Sequence, residues 1–233
     1  MTTTIPERTQ QLRPVDLFLL GFLTLFLELM LIRYLSGNIW NLGYFPNIVL
    51  IAVFIGMGTG FIFHNYVSEK YSDRLFLGSL GILTVLIFLV TFARTSLPGF
   101  QAWEGNFDGD LYFTATRTST PSQTLDMLMF GIWFVLIVSC FFAISQKTAK
   151  LFRTFRPLHA YTLDIAGSCV GIIAFMVISW FAIPAFAWFF VLIPAWLYLM
   201  RHSLTKWSGS LVVLLLLGCV SLSIYQDNRL LLY

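Results

Sequence analysis

The chain has 233 residues, of which 58% are hydrophobic and 11% are charged, and its formal net charge is +3. Soluble domains carry about a quarter charged residues, so the composition excludes an ordinary soluble domain and indicates an all-α integral membrane protein. This positive charge is too small to indicate nucleic-acid binding, and we expect no nucleic-acid partner. Cys140, Cys169 and Cys219 lie in apolar runs without C-x-x-C spacing. We therefore expect buried packing cysteines, with no metal site and no cofactor.

Seven apolar stretches have about the length that a membrane-spanning helix needs. They cover residues 15–35, 45–66, 75–95, 125–146, 160–182, 185–200 and 208–225. The first exceeds a signal-peptide core and lacks a small-x-small cleavage site, so we expect it to be retained as a span. The sixth is short and contains Pro194, with Pro184 just before it. The fifth and sixth stretches then form a tight helical hairpin, or one of them is partly re-entrant.

The basic residues predict the orientation of these spans. Those flanking the spans on one side are Arg8, Arg13, Lys70, Arg74, Lys147, Lys150, Arg153, Arg156, Arg201 and Lys206. The positive-inside rule makes this side cytoplasmic. We expect a cytoplasmic tail over residues 1–14, one transmembrane domain over 15–225 with a long outside loop at 97–124, and an outside tail at 226–233.

The first span, "GFLTLFLELMLIRYL", carries two charges, Glu28 and Arg33. Gly21, Thr24 and Glu28 share one helical stripe, which predicts that they face protein rather than lipid. Arg33 follows Glu28 by five residues, a rotation that makes a direct ion pair poor, so we expect Arg33 to anchor at the outer interface. Glu28 is then either a proton or cation site or a carboxyl group that holds helices together.

The second span contains "AVFIGMGTGFIFH", in which Gly56 and Gly60 stand four residues apart. A dinucleotide-binding G-x-G-x-x-G needs a preceding strand. Because these glycines lie inside a span, their spacing predicts close packing against another helix. His64 follows near the cytoplasmic end, where it is either a hydrogen-bonded interfacial residue or a ligand.

The fifth span begins "AYTLDIAGSCVGIIAF", which places Tyr161, Asp164, Gly167 and Gly171 on one face. Asp164 lies about one turn from the helix N-terminus, where the helix dipole favours a negative charge. It either caps or hydrogen-bonds between helices, or it belongs to a cytoplasmic-facing polar site with His64, Tyr161 and Glu28. Gly167 and Gly171 are expected to pack against another helix.

Three of these motifs occur together in a known family. Glu28-Leu-Met-Leu-Ile-Arg33, "GMGTG" and Tyr161-x-x-Asp164-x-x-Gly167-x-x-x-Gly171 resemble the membrane region of bacterial spermidine synthase-like fusion proteins. The resemblance implies a multi-pass protein of the bacterial inner membrane. That family also carries a soluble aminopropyltransferase-like domain with a nucleotide-binding loop. The present chain reaches Tyr233 before such a segment, so we expect it to work without an enzymatic domain.

These features predict, first, a non-catalytic integral membrane subunit that packs with other membrane protein subunits in the lipid bilayer. A second hypothesis is a small transporter of amines or protons that uses Glu28 and Asp164. A third is the membrane part of a polyamine-synthesising enzyme whose catalytic domain is on another chain.

Overall fold

The computed structural model describes residues 14–38, 47–96, 123–181, 183 and 185–200. Their regular structure is entirely helical: α1 Pro14–Asn38, α2 Asn47–Phe63, α3 Glu69–Ser96, α4 Gln123–Phe152, α5 Pro157–Trp180 and α6 Ala185–Leu199. The predicted all-α fold is confirmed for this part of the chain. The predicted seventh span, the C-terminal tail, residues 1–13 of the N-terminal tail and residues 97–122 of the outside loop lie outside the described residues.

Four of the helices are long and apolar enough to cross a membrane: α1, α3, α4 and α5. The other two are apolar but shorter, since α2 has 17 residues and α6 has 15. At 1.5 Å per residue they reach about 26 Å and about 23 Å, less than the ~30 Å hydrocarbon core of a bilayer. The described chain is therefore a helical, multi-pass membrane protein. The full count of seven spans and the cytoplasmic N-terminus stay predictions.

Two helices extend well beyond the apolar stretches that predicted them. α3 begins at Glu69 rather than near residue 75, and α4 continues to Phe152 rather than ending near residue 146. Hydropathy marks only the hydrocarbon core, whereas a bilayer with its headgroups is about 40–45 Å thick, the length of a 30-residue helix. Lys147 and Lys150, predicted to flank the fourth span, therefore lie on the last turns of α4.

The connection from α4 to α5 is correspondingly short. Arg156 is extended (φ −60°, ψ 135°), and Pro157 opens α5. Proline suits this position because its fixed φ is helical and the first N–H of a helix has no intrahelical partner.

The bundle is organised around two helices. α1 packs most extensively on α5 and also contacts α6, while α4 is covered by α2 and α3. Three contacts between α1 and α5 involve residues that follow one another in the same order on the two helices, so the helices are parallel. They pair Phe18 with Gly167, Phe22 with Gly171, and Phe26 with Phe175.

The fifth and sixth predicted spans, now α5 and α6, are joined by residues 181–184. Both helices pack on α1. They meet each other where the rings of Phe175 and Trp188 pack edge to face, with centroids 5.5 Å apart. The indole Nε1–H of Trp188 donates to the carbonyl of Ile183 at 2.8 Å, which fixes the start of α6 to the connection.

The cysteines divide between the interior and the outer surface. Cys140 is fully buried, and its Sγ lies 3.5 Å from the carbonyl oxygen of Ser79 on α3. Cys169 is exposed on α5, so the prediction that it is buried is wrong. The neighbouring Val170 is exposed too, and hydropathy alone does not distinguish the outer face of an apolar helix from the face that lies in the bundle interior. Cys219 lies outside the described residues.

Candidate functional site

Glu28 lies in the interior of the bundle. Only 7% of the side chain is exposed, and Thr24, one turn earlier, is 4% exposed. The Thr24 hydroxyl donates to the carbonyl of Leu20 at 2.8 Å, so its proton is not available to the carboxyl group of Glu28. Within the described ranges, no hydrogen bond or ion pair reaches Glu28. Burying a carboxyl group without a partner costs free energy, and ionisable groups in spanning helices commonly mark functional sites.

Arg33 points away from Glu28, in keeping with the five-residue spacing. Its side chain is exposed, and its guanidinium carbon lies 5.4 Å from the ring centroid of Trp188 at the start of α6. No ion pair joins Arg33 to Glu28, and the structure describes both residues. A cation over an indole face is favourable, so Arg33 fixes α6 against the end of α1.

Asp164 is placed at the contact between α5 and α1. A Cβ atom at Gly21 would lie 2.5 Å from the backbone carbonyl oxygen of Asp164 and 3.0 Å from its Oδ1. The Ser168 hydroxyl lies 3.5 Å from the carbonyl oxygen of Gly21, at the limit of a hydrogen bond. Only glycine at position 21 lets the two backbones come this close. Asp164 thus shares the level of Gly21, which is two turns or about 10.5 Å along α1 from Glu28.

His64 belongs to a different group of residues, at the end of α2. Its Nδ1–H donates to the carbonyl of Phe61 at 2.6 Å, which leaves Nε2 to accept from Arg153 at 3.4 Å. Arg153 also donates to the side-chain oxygen of Asn65. Tyr161 is 60% exposed, and its ring packs edge to face on Phe152. Of the four residues predicted for one polar site, Tyr161 and Asp164 stand one turn apart on α5, His64 bonds at the end of α2, and Glu28 lies about two turns along α1 from the level of Asp164.

The predicted glycine faces both lie against a neighbouring helix. A Cβ atom at Gly56 would lie 2.5 Å from the carbonyl oxygen of Val138 on α4, and one at Gly60 would overlap the Ser145 hydroxyl. A Cβ atom at Gly167 would overlap the carbonyl oxygen of Phe18 on α1. Backbone to backbone contacts of this kind require glycine, because any side chain would push the helices apart.

A polar cluster at the end of α4 was missed from the sequence. The Lys147 ammonium lies 3.3 Å from a carboxylate oxygen of Asp73 on α3, donates to the carbonyl of Leu199 on α6 at 2.9 Å, and sits over the Phe76 ring. The adjacent Gln146 donates to the carbonyl of Gly60 on α2 at 2.9 Å. Together these bonds join four helices at one end of the bundle. The apolar stretch ends at residue 146, so the sequence predicted only that Lys147 flanks the fourth span.

The fold and these polar positions define a multi-pass helical membrane protein with a buried carboxyl group in its central helix. Comparison of the sequence with protein-family models, curated proteins and solved structures found no match. The resemblance to the membrane region of spermidine synthase-like proteins stays a prediction, and so does the polyamine-synthesising alternative that rests on it.

Proposed function

We propose that the protein is a non-catalytic integral membrane subunit of the bacterial inner membrane that packs within a larger membrane protein assembly through α5. The observation that carries this proposal is the one-sided attachment of α5. In its most apolar stretch 17% of the residues are buried, against 61% for α1. α5 is therefore a full-length helix that the described chain covers mainly along its contact with α1.

The outward face of α5 has the composition of a helix contact. Thr162, Ala166 and Cys169 follow one another at helical spacing, and all three are exposed. Small residues at such spacing let a second helix approach closely in a membrane, where van der Waals packing drives association. Trp180, which is 84% exposed, ends the same helix with a large flat ring. These features favour a protein partner over lipid alone.

The proposal is tested by placing a photo-crosslinking amino acid on two equally exposed positions. Ile165 on α5 is 58% exposed, and Val135 on α4 is 60% exposed. After irradiation of intact membranes, we expect a discrete protein adduct from position 165 and none from position 135. Ala166→Trp should remove that adduct because it fills the contact face, whereas Val135→Trp should leave it unchanged.

Two results would contradict the proposal. One is the same adduct pattern from both positions. The other is a protein that runs as a lone monomer in mild detergent, with no partner of defined stoichiometry at any stage of purification.

A second candidate function is the movement of protons or small cationic amines, and one observation favours it. Glu28 is a buried carboxyl group in a spanning helix, without a partner among the described residues. Asp164 lies about two turns away at the level of Gly21. Glu28 would therefore act without direct help from Asp164.

A further inference from the structure

A groove runs between α3 and α4 on the outer surface of the bundle, with a volume of about 350 Å³. Its walls include Ile82 of α3 and Val138 and Phe142 of α4. Gly78 also lines it, is exposed, and has open space where a side chain would be. We call this surface the α3–α4 groove. It involves neither α5 nor Glu28, so it is independent of both candidate functions.

A basic residue, Arg74, lies at one end of the groove. Tyr71 and Arg74 line it on the first turns of α3, with the Arg74 guanidinium carbon 5.8 Å from the Tyr71 ring centroid. The neighbouring carboxylate, Asp73, is bound by Lys147 on α4. No ion pair holds Arg74 to a residue in the described part of the chain. The groove therefore presents an exposed cation without a described carboxylate to neutralise it.

The length of the groove matches one leaflet of a bilayer. Tyr71 and Ile82 are eleven residues apart on α3, which is about 16 Å at 1.5 Å per residue. Half of a ~30 Å hydrocarbon core is about 15 Å. An acyl chain lying from Gly78 towards Ile82 would thus keep its headgroup beside Arg74. The lining below Arg74 is mainly apolar, as an acyl chain requires.

We propose that the α3–α4 groove binds an anionic phospholipid, with the phosphate at Arg74 and one acyl chain along Gly78 and Ile82. The charge of Arg74 selects an anionic headgroup over a zwitterionic one, because a cation near the membrane surface attracts net negative charge. The bound lipid belongs to the leaflet on the side where α3 begins.

The test is native mass spectrometry of the purified full chain, titrated separately with phosphatidylglycerol and phosphatidylcholine of identical acyl chains. We expect wild type to bind phosphatidylglycerol more tightly. Arg74→Gln should weaken phosphatidylglycerol binding about fivefold, the effect of one basic residue at an anionic surface, and weaken phosphatidylcholine binding less, because the choline cation already offsets the charge of that phosphate. Gly78→Leu should weaken the binding of both lipids because it fills the groove.

Matched controls use the same substitutions outside the groove. Gly81→Leu adds a side chain to open space on the same helix, and Arg156→Gln removes an exposed charge at the same end of the bundle. Neither should change binding of either lipid. If Gly78→Leu does not elute as a single peak in size-exclusion chromatography, the change in lipid preference of Arg74→Gln decides the question alone.

Several outcomes would overturn the proposal. Equal binding of the two lipids to wild type would remove the anionic selectivity, and unchanged binding by Arg74→Gln would remove the role of that residue. Equal competition by free glycerol phosphate would make the site a phosphate site without an acyl chain. A lower melting temperature of Gly78→Leu with unaltered lipid binding would mean that another segment of the protein occupies the groove.

Discussion

Glu28 is an ionisable residue in the interior of the bundle. It lies on the most enclosed helix, and the hydroxyl group nearest in sequence, that of Thr24, is already bonded to Leu20. Its stripe predicted an inward position, which depends on helical geometry alone. Its surroundings could not be predicted, because they depend on which helices pack around α1. The sequence therefore located the group without indicating whether it holds the bundle together or serves transport.

Substitution of Glu28 by Gln separates these two roles. The change conserves shape and removes the ionisable group, and no hydrogen bond to a described residue is lost. We expect the melting temperature in mild detergent to equal or exceed that of wild type, because the neutral amide removes the cost of burying an unpaired charge. If Glu28 serves transport, flux of protons or labelled spermidine into liposomes should fall at least tenfold.

Asp164→Asn provides the control, since Asp164 lies at another level of the bundle and should retain flux. A marked loss of stability in Glu28→Gln would instead show that the carboxyl group holds helices together. Unchanged flux in a stable Glu28→Gln protein would eliminate the transport hypothesis.

At the scale of the elements, glycines decide which helices approach most closely. The four-residue spacing of Gly56 and Gly60 predicted a contact face on the second span, and both glycines lie against α4. The partner helix could not be predicted, because the glycine spacing indicates that another helix packs closely but does not indicate which one. Gly21 was assigned to the inward stripe, yet its contact with Asp164 becomes visible only when α1 and α5 are assembled.

A pair of substitutions on α2 tests this packing. Gly56→Ala would place a methyl group 2.5 Å from the Val138 carbonyl oxygen, whereas Gly58→Ala would meet open space. We expect Gly56→Ala to lower the free energy of unfolding by about 1–3 kcal/mol, the usual cost of overpacking. Gly58→Ala should leave it unchanged or raise it by up to about 1 kcal/mol, because alanine favours the helix.

Thermal or denaturant unfolding in detergent measures both changes. Equal effects at the two positions would contradict the packing that the structure assigns to Gly56, since both glycines stand on the same helix two residues apart.

At the scale of the whole molecule, basic residues gather at one end of the bundle. Those on the described helix ends and connections at this end are Lys70, Arg74, Lys147, Lys150, Arg153 and Arg156. The positive-inside rule depends on composition near the spans, so the sequence could predict an orientation. It could not predict that Lys147 would join three helices, because that bond depends on α4 continuing beyond its apolar stretch.

The orientation is tested by single cysteines introduced at the two ends of the bundle, in a background where the native cysteines are replaced by serine. Tyr66, 84% exposed between α2 and α3, marks the basic end, and the exposed Gly37 marks the opposite end. In intact cells a membrane-impermeant maleimide should label Gly37→Cys. It should label Tyr66→Cys only after permeabilisation. The reverse pattern would place the N-terminus outside.

The parallel contact between α1 and α5 has a consequence for biosynthesis. Phe18 on α1 and Gly167 on α5 meet in the finished bundle, yet about 150 residues separate them along the chain. At translation rates of about 5–20 residues per second, α1 would enter the membrane roughly 7–30 s before its principal partner is made. During that interval the face of α1 that packs on α5 must be covered by lipid, by α2 to α4 or by the insertion machinery. The order of synthesis, and not only the finished structure, thus determines how long this face of α1 remains without its final partner.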